Sequence, residues 1–205
     1  MGVGAEGQMI QFDEATHTYS VDGQPFASVT QVIAGAGLYG DAARFWSEYS
    51  ANRGRLAHKV IELYLAGTLD EATVDPALVG YFQAYKQFEA DTKFFPGYIE
   101  HTLYSVPLRI AGRVDLIGPD WKGKGSAIID IKTSATPAPA TGIQLAGYEE
   151  LYGVNRELPQ PKRFALQLKT DGKYKLIEYT DRNDRAVFLA AVTLHHWRKA
   201  NVKGE

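Results

Sequence analysis

"RIAGRVDLIGPDWKGKGSAIIDIKTSA", residues 109–135, holds two apolar runs on either side of a polar, glycine-rich turn, and each run is interrupted by one aspartate. Val114 and Leu116 flank Asp115, and Ile129 and Ile131 flank Asp130, in segments whose β-branched residues otherwise read as buried strands. Successive side chains of a strand point to opposite faces, so Asp130 and Lys132 share one face while Ile129 and Ile131 share the other. A charge at the lip of an apolar strand needs a partner or a purpose, because burying it uncompensated is costly. If the two runs pair across the turn at Gly123 and Gly125, a modest register shift brings the carboxylates of Asp115 and Asp130 together. Like charges that close raise each other's pKa unless a cation lies between them. A hard dication, Mg²⁺ or Mn²⁺, held by the two carboxylates and the Ile131 carbonyl relieves that conflict.

Asp-x-Lys is a weak signal alone, and the chain holds it four times. Asp91-Thr92-Lys93 falls at a helix end, Asp120-Trp121-Lys122 in a polar loop and Asp171-Gly172-Lys173 in a tight turn, all ordinary surface settings. Only Asp130-Ile131-Lys132 closes an apolar strand. There the lysine ammonium would hold an attacking water or stabilise charge building on a phosphate. The plainer role is a salt bridge to Asp130, worth little to stability where partly exposed.

Upstream, "YIEHTLYSVPLRIAGRVDLIG" gives two strands bent at Pro107. "QFDEATHTYSVDGQPFASVT" reads as a hairpin turning at Asp22-Gly23, with Ser28 or Ser47 as a cap for the helical segment after it. One long or broken helix is expected from about Asp41 to Ala66, ending at Gly67, and a second from Pro76 to Lys93. Downstream, the "TSATPAPAT" loop connects to a helix, "TGIQLAGYEELYG", capped by Thr141 and closed at Gly153. "KRFALQLKTDGKYKLIEYT" is a further hairpin with Phe164, Leu166 and Leu168 on one face and a turn at Asp171-Gly172; a last helix runs from about Arg182 to Ala200. The fold class is α/β (α+β): one mixed central sheet flanked by helices.

Within the helices, His58 and Glu62 lie i, i+4 on one face, as do Gln144 and Tyr148. A neutral imidazole ligates metals or steers a phosphate, and an amide with a phenol hydrogen-bonds phosphate oxygens. Zero cysteines exclude disulfides, iron–sulfur clusters, thiolate zinc sites and a cysteine nucleophile, so a metal must be held by oxygen and imidazole. Net charge is −2, with residues 1–50 at −5 and residues 162–205 at +5; the basic C-terminal part suits a phosphate backbone. No run is long enough to span a bilayer and the start lacks a signal peptide's pattern, so an intracellular protein is expected.

In chain order, Gly54-x-x-x-His58, Gly112-Arg113-Val114-Asp115, Asp130-Ile131-Lys132-Thr133 and Gln144-x-x-x-Tyr148 resemble the RecB-like branch of the PD-(D/E)XK nuclease superfamily. The match is similar to its small phage and prophage exonucleases. The resemblance spans residues 54–148, and "HTYSVDGQPFASVTQVI" is also similar to openings of phage members. It implies a restriction-endonuclease-like αβββαβ core in a single nuclease domain, residues 1–205. Its parts would be an N-terminal hairpin and short helix (1–40), a helical part (41–96), the catalytic sheet (97–180) and a C-terminal helix (181–205). It implies that Asp115, Asp130 and the Ile131 carbonyl bind Mg²⁺ or Mn²⁺, with His58 as a further ligand. Lys132 would position water, Gln144 and Tyr148 would orient substrate and lysine, and Glu62 and Glu100 would be outer-shell or second-metal acids. Arg53, Arg55, Arg113, Thr133 and Ser134 would contact DNA. The implied activity is Mg/Mn-dependent hydrolysis of DNA from an end, in phage-type recombination or repair in the bacterial cytoplasm, with a single-strand annealing protein or further copies of the chain as partners. An endonuclease or flap nuclease on the same site, and a non-catalytic nucleic-acid-binding module of the same fold, are the competing readings.

Overall fold

The computed structural model describes residues 9–13, 16, 18–40, 48–119, 121–123, 125–153 and 160–202. Asp22 and Gly23 both take positive φ, 50° and 75°, the geometry of a two-residue hairpin turn, and fold β2 (Thr18–Val21) onto β3 (Gln24–Ser28). An additional strand precedes them: β1 (Ile10–Asp13) pairs antiparallel with β2. Ser28 ends β3 and caps α1 (Val29–Gly35) with a full capping box. Its hydroxyl accepts from the Gln31 N–H, and the Gln31 side chain accepts from the Ser28 N–H.

The helix expected from Asp41 is α2 (Glu48–Leu65), and Ser47, like the rest of residues 41–47, lies outside the described residues. Gly67 closes α2 at φ 70°, with Gly67 N–H on Tyr64 O and Thr68 N–H on Leu63 O, the paired bonds of a Schellman motif. Helix α3 (Pro76–Thr92) starts on the proline, behind an Asp75 cap. Strands β4 (Tyr98–Ser105) and β5 (Ile110–Gly118) form a hairpin through the turn containing Pro107. Strand β6 (Ala127–Lys132) comes after the turn in which Gly123 and Gly125 have positive φ. Helix α4 (Thr141–Gly153) begins at Thr141 itself, so the expected cap is its first helical residue. Strands β7 (Lys162–Leu168) and β8 (Tyr174–Glu178) form the last hairpin, and α5 (Asn183–Asn201) packs against α1 and α4.

The sheet order is β1-β2-β3-β5-β6-β7-β8, with β4 also on β5. Strand β5 thus has three partners but only two edges. β4 occupies one edge from Ile110 to Ile117. The other is shared: β3 pairs parallel with Ile110 and Ala111, and β6 pairs antiparallel with Leu116, Ile117 and Gly118. Residues 112–115 lie between, where one strand has turned away into α1 and the next is only joining. Helices α2 and α3 cover one face over Ile61, Phe88, Leu116, Ile129 and Leu166. Helices α1, α4 and α5 cover the other over Ile33, Val114, Ile128, Leu145 and Phe188.

Ser28 is buried where β3 becomes α1, whose Val29, Val32 and Ile33 are wholly buried. Ser28→Ala removes a cap worth about 1 kcal/mol, within a range of roughly 0.5–2. Urea unfolding is expected to show that loss with an unchanged m-value.

Candidate active site

The gap on β5 is where the charged residues gather. Ile99↔Leu116 and His101↔Val114 bracket Glu100 and Asp115, which therefore stand level. Leu116↔Ile129 is the last β5–β6 pair, so Asp130 lies one step beyond, level with Asp115 and with no register shift needed. Glu100, Asp115 and Asp130 form one row across β4, β5 and β6. The Asp115 carboxylate continues the ladder where the backbone stops, accepting the Ile131 N–H at 2.6 Å. From α2, His58 Nε2 lies 3.1 Å from the Ile131 carbonyl oxygen. Both main-chain groups of Ile131 are thereby taken up by side chains of the row and its neighbour.

Two clusters flank this point. On the α2 side, His58 Nδ1 is 3.4 Å from Asp115 Oδ1 and 3.8 Å from Glu100 Oε1. Glu100 has φ 48°, a left-handed conformation that costs a residue with a Cβ roughly 1–2 kcal/mol. Arg113 holds it there, donating from Nε to the Glu100 backbone oxygen at 3.1 Å and pairing with its carboxylate at 3.0 Å. On the α4 side, Lys132 Nζ is 2.7 Å from Asp130 Oδ2 and donates to Gln144 Oε1 at 3.1 Å. Gln144 Nε2 donates to Asp130 Oδ1 at 3.1 Å and to the Tyr148 hydroxyl at 3.0 Å. Tyr148 reaches this position only because Gly112 has no side chain: a Cβ there would sit 2.8 Å from Tyr148 Cε1.

Burial sets the charges. It works against a charged imidazole at His58, but the Asp115 and Glu100 carboxylates outweigh it and raise the pKa from 6.5 to about 10. Asp115 is held below the usual carboxylate range because the imidazolium, with the Ile131 N–H, overcomes its burial. Asp130 is pushed up to about 6 by burial, which the Lys132 ammonium only partly offsets and the Asp115 charge reinforces. Burial disfavours the Lys132 ammonium, yet Asp130 more than compensates and keeps it charged. The Tyr148 phenol is raised well above its ordinary value by burial and stays neutral.

A model of the PD-(D/E)XK nuclease superfamily matches residues 74–201, more than half of the chain. The chain belongs to this superfamily. No curated protein matches the nuclease in sequence. Among solved structures, a candidate exonuclease from Eubacterium rectale aligns with TM-score 0.60 at 18% identity, covering 87% of this chain and 81% of that one. The fold is thereby shared: a mixed sheet flanked by helices, as in restriction-endonuclease-like PD-(D/E)XK proteins. A second structure, SSO0001, aligns at TM-score 0.39 and 18% identity over 76% of this chain and 74% of its own, too little shared shape to inform the site.

In this PD-(D/E)XK nuclease, the residues singled out from the sequence fall into distinct groups. His58, Glu100 and Asp115 offer one imidazole nitrogen and two carboxylate oxygens within 4.8 Å of one another, a donor set that suits a divalent ion. Asp130, Lys132, Gln144 and Tyr148 form the adjoining polar network. Glu62 stands apart from both, paired with Lys59 at 2.9 Å. Arg113 is engaged by Glu100 and lies over the Phe12 ring at 5.4 Å, whereas Arg53 stacks between Tyr49 and Tyr81 on the α3 side. Arg55 bonds Asn52, and Thr133 packs against Gly54.

Gln167 escaped the sequence reading. It is buried, stands opposite Lys132 in the β6–β7 register, and donates to the carbonyl oxygens of Ser134 at 2.8 Å and Ala135 at 2.5 Å. It pins the start of the proline-rich loop directly after the lysine, which fits a connector better than a gate. An amide inside "FALQL" is the same anomaly that marked the aspartates. Two of the remaining Asp-x-Lys pairs are surface features: Asp91 accepts from Gln87 and Tyr174, and Asp171 from the Lys173 N–H; Asp120 lies outside the described residues.

The raised pKa of His58 has a stability consequence when no metal is bound. The folded state keeps a proton that the unfolded imidazole releases near pH 6.5. That stabilisation is complete below about pH 6.5 and drains away as the pH rises towards about 10. Urea unfolding in chelator across this range is expected to show a falling stability, and His58→Gln to flatten the fall. Identical curves for the two proteins would contradict the ion pairing.

Proposed function

We propose that this chain is a metal-dependent DNA exonuclease of the RecB-like branch, a single nuclease domain over residues 1–205 of phage or prophage type that acts in recombination or repair. The observation that carries this reading is the pairing of Asp130 with Lys132 at the end of β6, locked by Gln144 and level with Asp115. Support also comes from His58, Glu100 and Asp115, which offer an imidazole nitrogen and two carboxylate oxygens to a divalent ion, with Asp130 and the Ile131 carbonyl beside them. When bound there, Mg²⁺ or Mn²⁺ supplies charge neutralisation and an acidified water.

The chain's own groups do the rest. Lys132 directs the attacking water and meets the negative charge that builds on the phosphoryl oxygens. Gln144 fixes the lysine by accepting from its ammonium, and Tyr148 fixes Gln144 in turn. Water adds to phosphorus as the bond to the 3′ oxygen breaks, giving a 5′-phosphate and, after proton transfer, a 3′-hydroxyl. Asp115 and His58 hold the strand end in place through Ile131. A non-catalytic module is disfavoured because the acids and the lysine are all present, with Asp130, Lys132 and Gln144 bonded to one another.

Removing a group that acts on the developing charge costs about 10²–10³ in rate. Asp130→Ala and Lys132→Ala are each expected to lose at least that much Mg²⁺-dependent nucleotide release from end-labelled linear DNA. Covalently closed circles should survive the wild-type enzyme. Full activity in either variant would overturn the site, and cutting of closed circles would replace an exonuclease by an endonuclease.

A further inference from the structure

A groove of about 500 Å³ lies away from the catalytic row, between the β2–β3 hairpin, α1 and the last turns of α5. Its aromatic and apolar side is formed by Tyr19, Pro25 and Phe26, and its α5 side by His195, Arg198 and Lys199. Among the described residues that line it, none is acidic. Arg198 also donates to the Gly35 carbonyl, which fixes α5 against the end of α1 and sets the width of the groove. Ala27, in its wall, pairs with Ile110 of β5. Asp115 is five steps along the strand from Ile110, about 17 Å of extended chain, so the groove is a separate place from the row.

The volume matches a ligand of nucleotide size. The chemistry suits a single strand: cations for the phosphates and an apolar wall, exposed at Pro25 above the buried Tyr19 and Phe26, for a base. Residues 162–205, which include the basic wall, carry a net +5. A relay of side-chain contacts joins the wall of the groove to the catalytic row. Tyr19 stacks on Phe12 at 4.7 Å between ring centres, Phe12 lies under the Arg113 guanidinium, and Arg113 holds Glu100.

We propose that this groove holds a nucleotide of single-stranded nucleic acid outside the scissile site, its phosphate on Arg198 and Lys199 and its base against Pro25. A strand so anchored enters the active site with its direction fixed by the distance between the two places. The proposal rests on the nuclease reading for its biological sense but not for its test, because binding is measured without cleavage.

The full chain is titrated, in EDTA, against a fluorescein-labelled oligothymidine at several KCl concentrations, with anisotropy as the readout. Lys199→Glu and Thr18→Glu change exposed residues on opposite walls. Each is expected to weaken binding about tenfold, and Lys199→Ala to reduce the slope of log K against log salt by about 0.7, one single-strand phosphate contact. Lys173→Glu places the same charge change in the β7–β8 turn at the far edge of the sheet and is expected to leave affinity within about twofold. Equal weakening by Lys173→Glu, or no weakening by the two groove variants, would overturn the groove even if the wild type digests linear DNA. Groove-dependent binding by a wild type that never cuts would uphold the groove and overturn the nuclease reading.

Discussion

The single constraint behind this molecule is that two strands share one edge of β5 and do not meet. Strand β3 leaves after Ala111 and β6 joins at Leu116. A buried main-chain donor or acceptor without a partner costs roughly 1–3 kcal/mol. The interval is therefore closed by side chains. Asp115 accepts the Ile131 N–H, His58 meets the Ile131 carbonyl, and the Tyr148 ring lies over Gly112. The groups that repair the sheet are the groups that make the site.

Because the opening passes between the two helical layers, each layer contributes from its own face. Helix α2 brings the imidazole, and α4 brings the amide and phenol. Three carboxylates in one row cannot all ionise in a buried place unless cations answer them. In the metal-free protein the answer is distributed: an imidazolium against Asp115 and Glu100, an ammonium against Asp130, and a guanidinium behind Glu100. The incomplete answer at Asp130, whose pKa stands at about 6, marks where additional positive charge is wanted. A divalent ion held by His58, Glu100 and Asp115 would take the place of the imidazolium as counter-charge, and a His58 neutralised to ligate it would give up its proton.

Features governed by neighbours along the chain are legible in the sequence alone. The Asp22-Gly23 turn, the Ser28 cap, the Gly67 stop and the alternation of Phe164, Leu166 and Leu168 all come from local geometry. Asp115, Asp130 and Lys132 are legible because a charge inside an apolar strand is conspicuous in sequence, whereas Gln144 and Tyr148 join them only through the family resemblance. The parallel pairing of β3 with β5 is not legible: its two ends lie more than eighty residues apart and no local pattern encodes it. Nor is the prominence of Glu100 over Glu62. It depends on a left-handed backbone held by Arg113, whereas the i, i+4 spacing to His58 that recommended Glu62 leaves it facing Lys59. The expected register shift between the aspartates proves unnecessary because the antiparallel ladder already places them level.

Calorimetric titration of Mn²⁺ into the metal-free protein near pH 7.5, in buffers of different ionisation enthalpy, tests the central claim most directly. The account expects binding accompanied by release of close to one proton per site, and both the binding and the proton to be lost in Asp115→Asn. Binding with no proton released, or none at all under conditions where DNA is still cut, would contradict it.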